Sequence, residues 1–288
     1  MLDSQYKAQC STEYDRLKTV ILCEPTYMNI ENQINETQRR YSDKGFNVEQ
    51  AIIQHQKFVA ELEGLGIEVV LLPPGQNYPE QVFTRDIGFT LGHTVFIAAM
   101  ATKIRHGEED ILHEWLESHH VSYNNIKHGH VEGGDVIIDQ DTVYIGQSDR
   151  SDTVGIHYLQ SKLPHMKVLP VPFTKSFLHL DCIFNVLSPT EALLYPGQMD
   201  EKVEEYLYSR YDIIEVSKEE QFTLGTNVLS VGNRQVFSQP INTQVNRALS
   251  QRGFEVIEVN ISEIIKSGGA FRCCTMPLLR LTDPNYFD

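Results

Sequence analysis

The run Ser267-Gly268-Gly269-Ala270-Phe271-Arg272-Cys273-Cys274-Thr275-Met276-Pro277 sets a thiol behind a flexible glycine pair and beside a cation. A cysteine attacks as its thiolate, so a neighbouring positive charge that lowers its pKa makes it a nucleophile. Arg272 is placed to supply that charge. The same run also reads as two small apolar residues buried after a loop glycine, so the case rests on company elsewhere in the chain. Three stretches supply it: Phe83-Thr84-Arg85-Asp86, His130-Val131-Glu132-Gly133-Gly134-Asp135 and His179-Leu180-Asp181. Singly, Asp86 reads equally as a turn or cap residue. Glu132 and Asp135 read as charges flanking a Gly-Gly bulge, and His179 as a satisfied core histidine. Asp181 is harder to dismiss: two residues from His179, it would share one strand face with it. A charge between Leu180 and Cys182 in a buried strand needs a partner.

The elements around these stretches repeat. Four segments read as hairpins, Ile87 to Met100, Val136 to Gly146, Ile183 to Tyr195 and Val228 to Ser238. Their turns carry Gly92-His93, Asp139-Gln140-Asp141, Ser188-Pro189-Thr190-Glu191 and Gly232-Asn233, residue types that hairpin connections select. The turns recur about every 45 to 50 residues, a period of repeat architectures. After each hairpin comes an amphipathic stripe: Ile111, Leu112, Trp115 and Leu116; Val154, Ile156 and Leu159; Val203, Tyr206 and Leu207; Val245, Ala248 and Leu249, with Gly253 as the last stop. The N-terminal part supplies a strand at Thr19 to Cys23, a helix with Val48, Ile52, Val59 and Leu62 inward, and a second strand at Val69 to Leu72. Pairing of the first strand with the run Cys274 to Leu281 would make a fifth unit and close a ring with no free sheet edge. In such a ring the residues just before each hairpin converge, which brings Asp86, Glu132, Asp135, His179, Asp181 and Cys273 to one mouth. Gathering of so many perturbable groups is the mark of a functional site. The predicted fold is therefore α/β, a fivefold pseudosymmetric propeller of five ββαβ-type modules. No linker rich in Pro, Gly or Ser divides it, so residues 1–288 read as a single domain.

Composition narrows the function classes. A chain of 288 residues with 41% hydrophobic content can bury a real core. The net charge of -15, with no basic patch, argues against nucleic acid as a partner. Five cysteines without C-x-x-C spacing argue against both a disulfide framework and a zinc ribbon, and make a reducing cytoplasm the expected setting. The N-terminus lacks an apolar core of signal-peptide length, and no run approaches a membrane span, so no membrane partner is expected. A metal site from His128, His130 and Glu132 lacks a fourth ligand. A papain-like hydrolase would open an early helix with its nucleophile, whereas Cys273 lies in a late strand-like segment.

The motifs F-T-R-D, H-x-E-G-G-D, H-L-D and G-G-x-x-x-C-x-T-x-P, in this order from Phe83 to Pro277, resemble the guanidino-group-modifying superfamily. It includes dimethylarginine dimethylaminohydrolases, arginine deiminases and amidinotransferases, and its members share the fivefold propeller. The resemblance implies that Cys273 is the nucleophile and His179 the general acid and base, with Glu132 in the catalytic set. Asp86, Asp181 and Glu132 would hold the guanidinium, Phe83 would line its site, and Arg105 and Arg150 fall where two arginines bind the substrate carboxylate. The implied partner is a small guanidino substrate, the assembly a homodimer, and no cofactor or metal is needed. The implied reaction is hydrolysis of arginine or an Nω-methylated arginine to citrulline and an amine; deimination of arginine and amidino transfer are the alternatives. Arg85 looks deiminase-like and Asp181 deiminase-like or amidinotransferase-like, whereas the Cys273-Cys274 pair and the length look like the dimethylargininase branch. Arg272 stands where many deiminases and amidinotransferases have His. Ribosome anti-association factors share the propeller shape without this chemistry, so the shape alone does not decide function.

Overall fold

Turn chemistry builds the hairpins as expected. In the computed structural model, which describes residues 5–30, 35–41 and 45–282, Gly92, Gln140, Gly232 and Asn233 all take positive φ where the chain reverses. Reversal there needs a left-handed backbone, which glycine and asparagine adopt at least cost. In chain order the elements are β1 (Arg16–Cys23), α1 (Glu36–Tyr41), α2 (Val48–Gly64), β2 (Glu68–Leu72), α3 (Thr84–Ile87), β3 (Gly88–Leu91), β4 (Thr94–Ile97), α4 (Glu108–Ser118) and β5 (Tyr123–Asn125). Then come β6 (Val136–Asp139), β7 (Thr142–Gln147), α5 (Thr153–Lys162), β8 (Lys167–Pro172), β9 (Phe184–Val186), β10 (Glu191–Leu194), α6 (Glu201–Arg210) and β11 (Asp212–Glu215). The last are α7 (Lys218–Phe222), β12 (Leu229–Gly232), β13 (Gln235–Ser238), α8 (Thr243–Gln251), β14 (Glu255–Glu258) and β15 (Met276–Leu281).

These strands form five three-stranded sheets of one design. In four of them a hairpin is followed by a helix and then by a strand parallel to the hairpin's second arm: β3-β4-β5, β6-β7-β8, β9-β10-β11 and β12-β13-β14. In the fifth, β15 supplies the antiparallel arm to β1, and β2 pairs parallel to β1 through α2. The two ends of the described chain thus complete one sheet together. The expectation of a closed system without edges is corrected: the sheets are separate, each open and three strands wide.

Most predicted faces point inward. Leu112 and Leu116, Ile156 and Leu159, Leu207, and Val245 and Leu249 are buried, with Ile111, Trp115, Val203, Tyr206 and Ala248 packed at the margins. Two faces differ. Val154 is 58% exposed, since it sits in the first turn of α5, just past its Asp152 cap. On α2 the buried residues are Ala51, Gln54, His55, Phe58 and Leu62, while Val48, Ile52 and Val59 are half-buried. Phe58 decides that rotation by packing edge-on against Phe237 and Phe271, with ring centroids 5.2 and 5.1 Å away. Aromatic pairs in this geometry gain about 0.5–1.5 kcal/mol beyond their buried area.

Candidate active site

Short helical turns, rather than the starts of strands, carry the polar groups. Asp86 lies in α3, Asp135 closes a 3-10 turn at 133–135, and Asp181 lies in a 3-10 turn at 180–182 that His179 precedes. The turn at 133–135 packs against both α3 and the turn at 180–182. His179 and Asp181 therefore do not share a strand face as expected. They converge because Asp135 Oδ1 accepts the Leu180 N–H that lies between them, at 2.9 Å. Cys273 is tied into the same place: its C=O accepts Arg85 N–H at 3.0 Å, and Thr84 Oγ1 donates to Cys274 C=O at 3.1 Å.

The fourth unit also contributes, through a residue the motifs do not contain. Asn227, directly before the fourth hairpin, accepts the N–H of Cys273 at 3.2 Å and that of Ala270 at 3.3 Å on Oδ1. Its Nδ2 donates to Asp181 C=O at 3.2 Å. A neutral amide gives no charge signal, but its place in the repeat does. Ser148, Glu108 and Glu13 were likewise missed; they partner Asp135, Arg105 and Arg272 respectively.

All the expected residues are buried, and the structure brings most of them together. Cys273 Sγ lies 3.7 Å from Asp181 Oδ2 and 3.8 Å from Oδ1. His179 Nε2 donates to Glu132 Oε2 at 2.8 Å, and its Nδ1 is 3.6 Å from Asp86 Oδ1. Asp86, His179, Phe83, Arg150 and Cys273 share a narrow cavity of about 10 Å³, room for about one water. Arg150 and Leu178 also line an outer hollow of about 540 Å³ edged by Arg39, Arg40 and Lys175.

Three expectations are corrected. Glu132 is not open to a guanidinium, because Oε2 faces His179 and Oε1 accepts Ala101 N–H at 3.0 Å. Arg105 does not stand free for a carboxylate: it donates to Asp86 at 2.5 Å and twice to Glu108, at 2.9 and 2.7 Å. Arg272 does not turn its side chain to the thiol but to Glu13, Val136 C=O and Asp181, so its charge reaches Cys273 without direct contact. Arg150 Nη1 lies 3.6 Å from Glu132 and has no hydrogen-bond partner among the described residues. His128 and His130 lie exposed, away from buried Glu132.

Burial and charge set the protonation states. The Cys273 thiol is pushed well above its ordinary value by burial and then by the Asp181 and Asp86 carboxylates. Burial also raises Asp181, against the pull of Arg272 and His179. Burial alone would lower His179, but Asp86, Glu132 and Asp135 outweigh it and carry the imidazole up to about 9. Burial would raise Glu132; its hydrogen bond to His179 and the charges of His179, Arg150 and Arg105 pull it below the ordinary carboxylate range. The Asp86 and Asp181 carboxylates acting on the buried thiol suit a cationic ligand, whose charge the His179 imidazolium opposes. Asp86 Oδ1, buried and without a hydrogen-bond partner among the described residues, is an acceptor for such a ligand's N–H.

Gly134 protects this arrangement. A Cβ there would lie 2.7 Å from His179 Cγ and Nδ1 and 2.9 Å from Asp86 Oδ1. Gly134→Ala is therefore expected to displace the imidazole and lower kcat by about 10²-fold, as an ångström of misplacement does. Steady-state kinetics beside a melting curve checks this, and an unchanged kcat would separate His179 from the reaction.

A family model described as "N,N dimethylarginine dimethylhydrolase, eukaryotic" matches residues 24–280. An uncharacterized protein, YkgA of Bacillus subtilis, is 49% identical over 277 residues, covering 96% of this chain and 97% of its own. The bifunctional arginine dihydrolase/ornithine cyclodeaminase AgrE of a Nostoc species is 28% identical over 92% of this chain, which spans 38% of that protein. Among solved structures, a mutant N-terminal domain of ArgZ bound to substrate, a cyanobacterial arginine dihydrolase, superposes with a TM-score of 0.82 at 25% identity. That match covers 92% of this chain and 98% of the domain.

Proposed function

The chain belongs to the N,N dimethylarginine dimethylhydrolase family, within the guanidino-group-modifying superfamily, and from that premise we propose that it hydrolyses the guanidino carbon of arginine or an Nω-methylated arginine to citrulline and an amine. The observation that carries the reading is a buried thiol in the company of two buried carboxylates: Asp181 is 3.7 Å from Cys273 Sγ, and Asp86, which lines one cavity with Cys273, has an Oδ1 without a hydrogen-bond partner among the described residues. A guanidinium is planar, basic and weakly electrophilic, so its charge has to be held while a strong nucleophile reaches the carbon. Each charge-assisted hydrogen bond contributes roughly 1.5–3 kcal/mol.

In this reading the arriving cation favours the thiolate, and Cys273 loses its proton to solvent as the substrate enters, His179 being already protonated. Sulfur then bonds to the guanidino carbon as the carbon–nitrogen bond to the departing amine breaks, and His179 protonates that amine. The resulting S-alkylthiouronium is hydrolysed by water whose proton returns to His179, and cleavage of the carbon–sulfur bond restores Cys273. Arg150, at the inner cavity and the outer hollow, is the cation for the substrate carboxylate. The chemistry requires no metal or cofactor. Five modules arranged as a propeller in one domain, and a homodimer, are carried over from the family. The five unbridged thiols fit the reducing cytoplasm, and among the described residues no helix is long and apolar enough to cross a membrane.

Parallel incubation with arginine, Nω-methylarginine and asymmetric dimethylarginine, with citrulline and the released amine quantified, tests the reading. Citrulline is expected with an equimolar amine, ammonia marking the deiminase outcome and methylamine or dimethylamine the dimethylargininase one. Citrulline from none of the three overturns the proposal.

A further inference from the structure

Behind the carboxylate that faces Cys273 lies a buried chain of charges. Arg272, 2% exposed, bonds Glu13 through Nη1 and donates to Val136 C=O at 2.6 Å through Nη2. Its Nε has no hydrogen-bond partner among the described residues and lies 3.4 Å from Asp181 Oδ2. Glu13 Oε2 is shared: Arg85 Nη1 approaches it to 3.8 Å, and Arg85 Nε donates to Arg272 C=O at 3.4 Å. Arg85 and Arg272 therefore meet at one acid.

We propose that Arg272 is a positioning residue for guanidine hydrolysis, holding the Asp181 carboxylate ionised and turned toward Cys273, and that Glu13 sets the strength of that hold by sharing the guanidinium. This rests on the hydrolase reading above. Asp181 has no exposure to water, so its charge is sustained by neighbours alone. The charged and titratable groups around it are Arg272 and Cys273 from the segment before β15, Arg85 and Asp86 from α3, and His179 and Cys182 from its own turn. After burial, which works against ionisation, Arg272 is the largest influence, and it works for ionisation.

The sign of each perturbation follows. Asp181 binds a cation only when ionised, so activity falls as pH drops through its pKa. Arg272→Gln removes the sustaining cation and moves that acid limb of kcat/KM up by about 1–3 pH units. Activity below the limb falls by about tenfold per unit. Arg272→Lys keeps the charge and moves the limb less. Glu13→Gln frees Arg272 to act on Asp181 and moves the limb down. A purely structural role would cost both variants stability without opposite shifts.

The test measures the kcat/KM profile and, in a Cys273→Ser background, the carbon-13 titration of the Asp181 carboxyl, its resonance assigned by Asp181→Asn. If Arg272→Gln does not fold because Glu13 is left buried alone, the Glu13→Gln/Arg272→Gln pair removes both charges and is expected to show the upward shift. An Asp181 titration that does not move, or that moves the same way in Arg272→Gln and Glu13→Gln, overturns the inference. Wild-type protein that turns over no guanidine overturns the hydrolase reading alone, because the carboxyl titration is read without turnover.

Discussion

Cys273→Ser is expected to lower kcat by at least about 10³-fold on whichever guanidine the protein hydrolyses, while the melting temperature stays that of the wild type. Loss of a nucleophile that acts as a unit with its base removes most of the acceleration, and only binding and electrostatic contributions remain. The fold should tolerate the change, because what holds this residue is backbone: its N–H on Asn227 Oδ1 at 3.2 Å and its C=O on Arg85 N–H at 3.0 Å. A serine hydroxyl is a slightly smaller neutral group in the same buried spot. Its oxygen cannot be brought to an anion by a bound cation within the accessible pH range, whereas a thiol can. Cys274 and Cys182 are also buried, with thiols raised by burial, so Cys274→Ser is the control that should retain turnover. Intact mass after an acid quench supplies the second readout. Wild type should carry the mass of the S-alkylthiouronium that retains the substrate's amino-acid chain, and Cys273→Ser should not. Full activity in Cys273→Ser removes it as the nucleophile.

What could be seen in the sequence was governed by signals local to a few residues. Hairpins were legible because reversing the chain at Gly92, Gln140 and Gly232-Asn233 demands particular residue types, and their even spacing exposed the repeat. The pairing of β15 with β1 was legible from the missing arm of the first unit. The face of α2 was not, because Phe58 turns toward Phe237 and Phe271, partners that lie far along the chain. Charged and thiol residues at equivalent places in the repeat marked Asp86, Asp181, His179 and Cys273 as one group, and the structure places them near one another. Their partners could not be assigned. Whether Arg105 meets a ligand or Glu108, and whether Arg272 faces Cys273 or Glu13, depends on side-chain directions fixed by packing. Asn227 stayed hidden because an amide resembles any loop residue until its two donors, Cys273 N–H and Ala270 N–H, are seen.

Glu132→Gln is expected to lower kcat by about 10² to 10⁴-fold, the share a positioned general acid and base contributes, and to move the alkaline limb of the pH profile toward neutrality. His179 has three anionic neighbours, Asp86, Glu132 and Asp135, and together they lift it to about 9 against its burial. A histidine raised in this way is protonated across the neutral range. It can give a proton to the departing amine there, and loses that ability as pH rises through about 9. Glutamine preserves shape and can still accept from Nε2, yet it removes one anion and the charge of the 2.8 Å hydrogen bond. Burial then has more weight and the imidazole falls. In kcat/KM, which reports the free enzyme, the wild-type limb should therefore lie near 9 and that of Glu132→Gln below it. In kcat, which reports the complex, both limbs should lie lower still, because the bound guanidinium is a like charge beside His179 and disfavours the imidazolium. Two displacements are thus expected, one from removing an anion and one from adding a cation. A limb that ignores both would mean that the titrating acid is a different group, and Asp135, which burial raises to about 7, would be the next to replace.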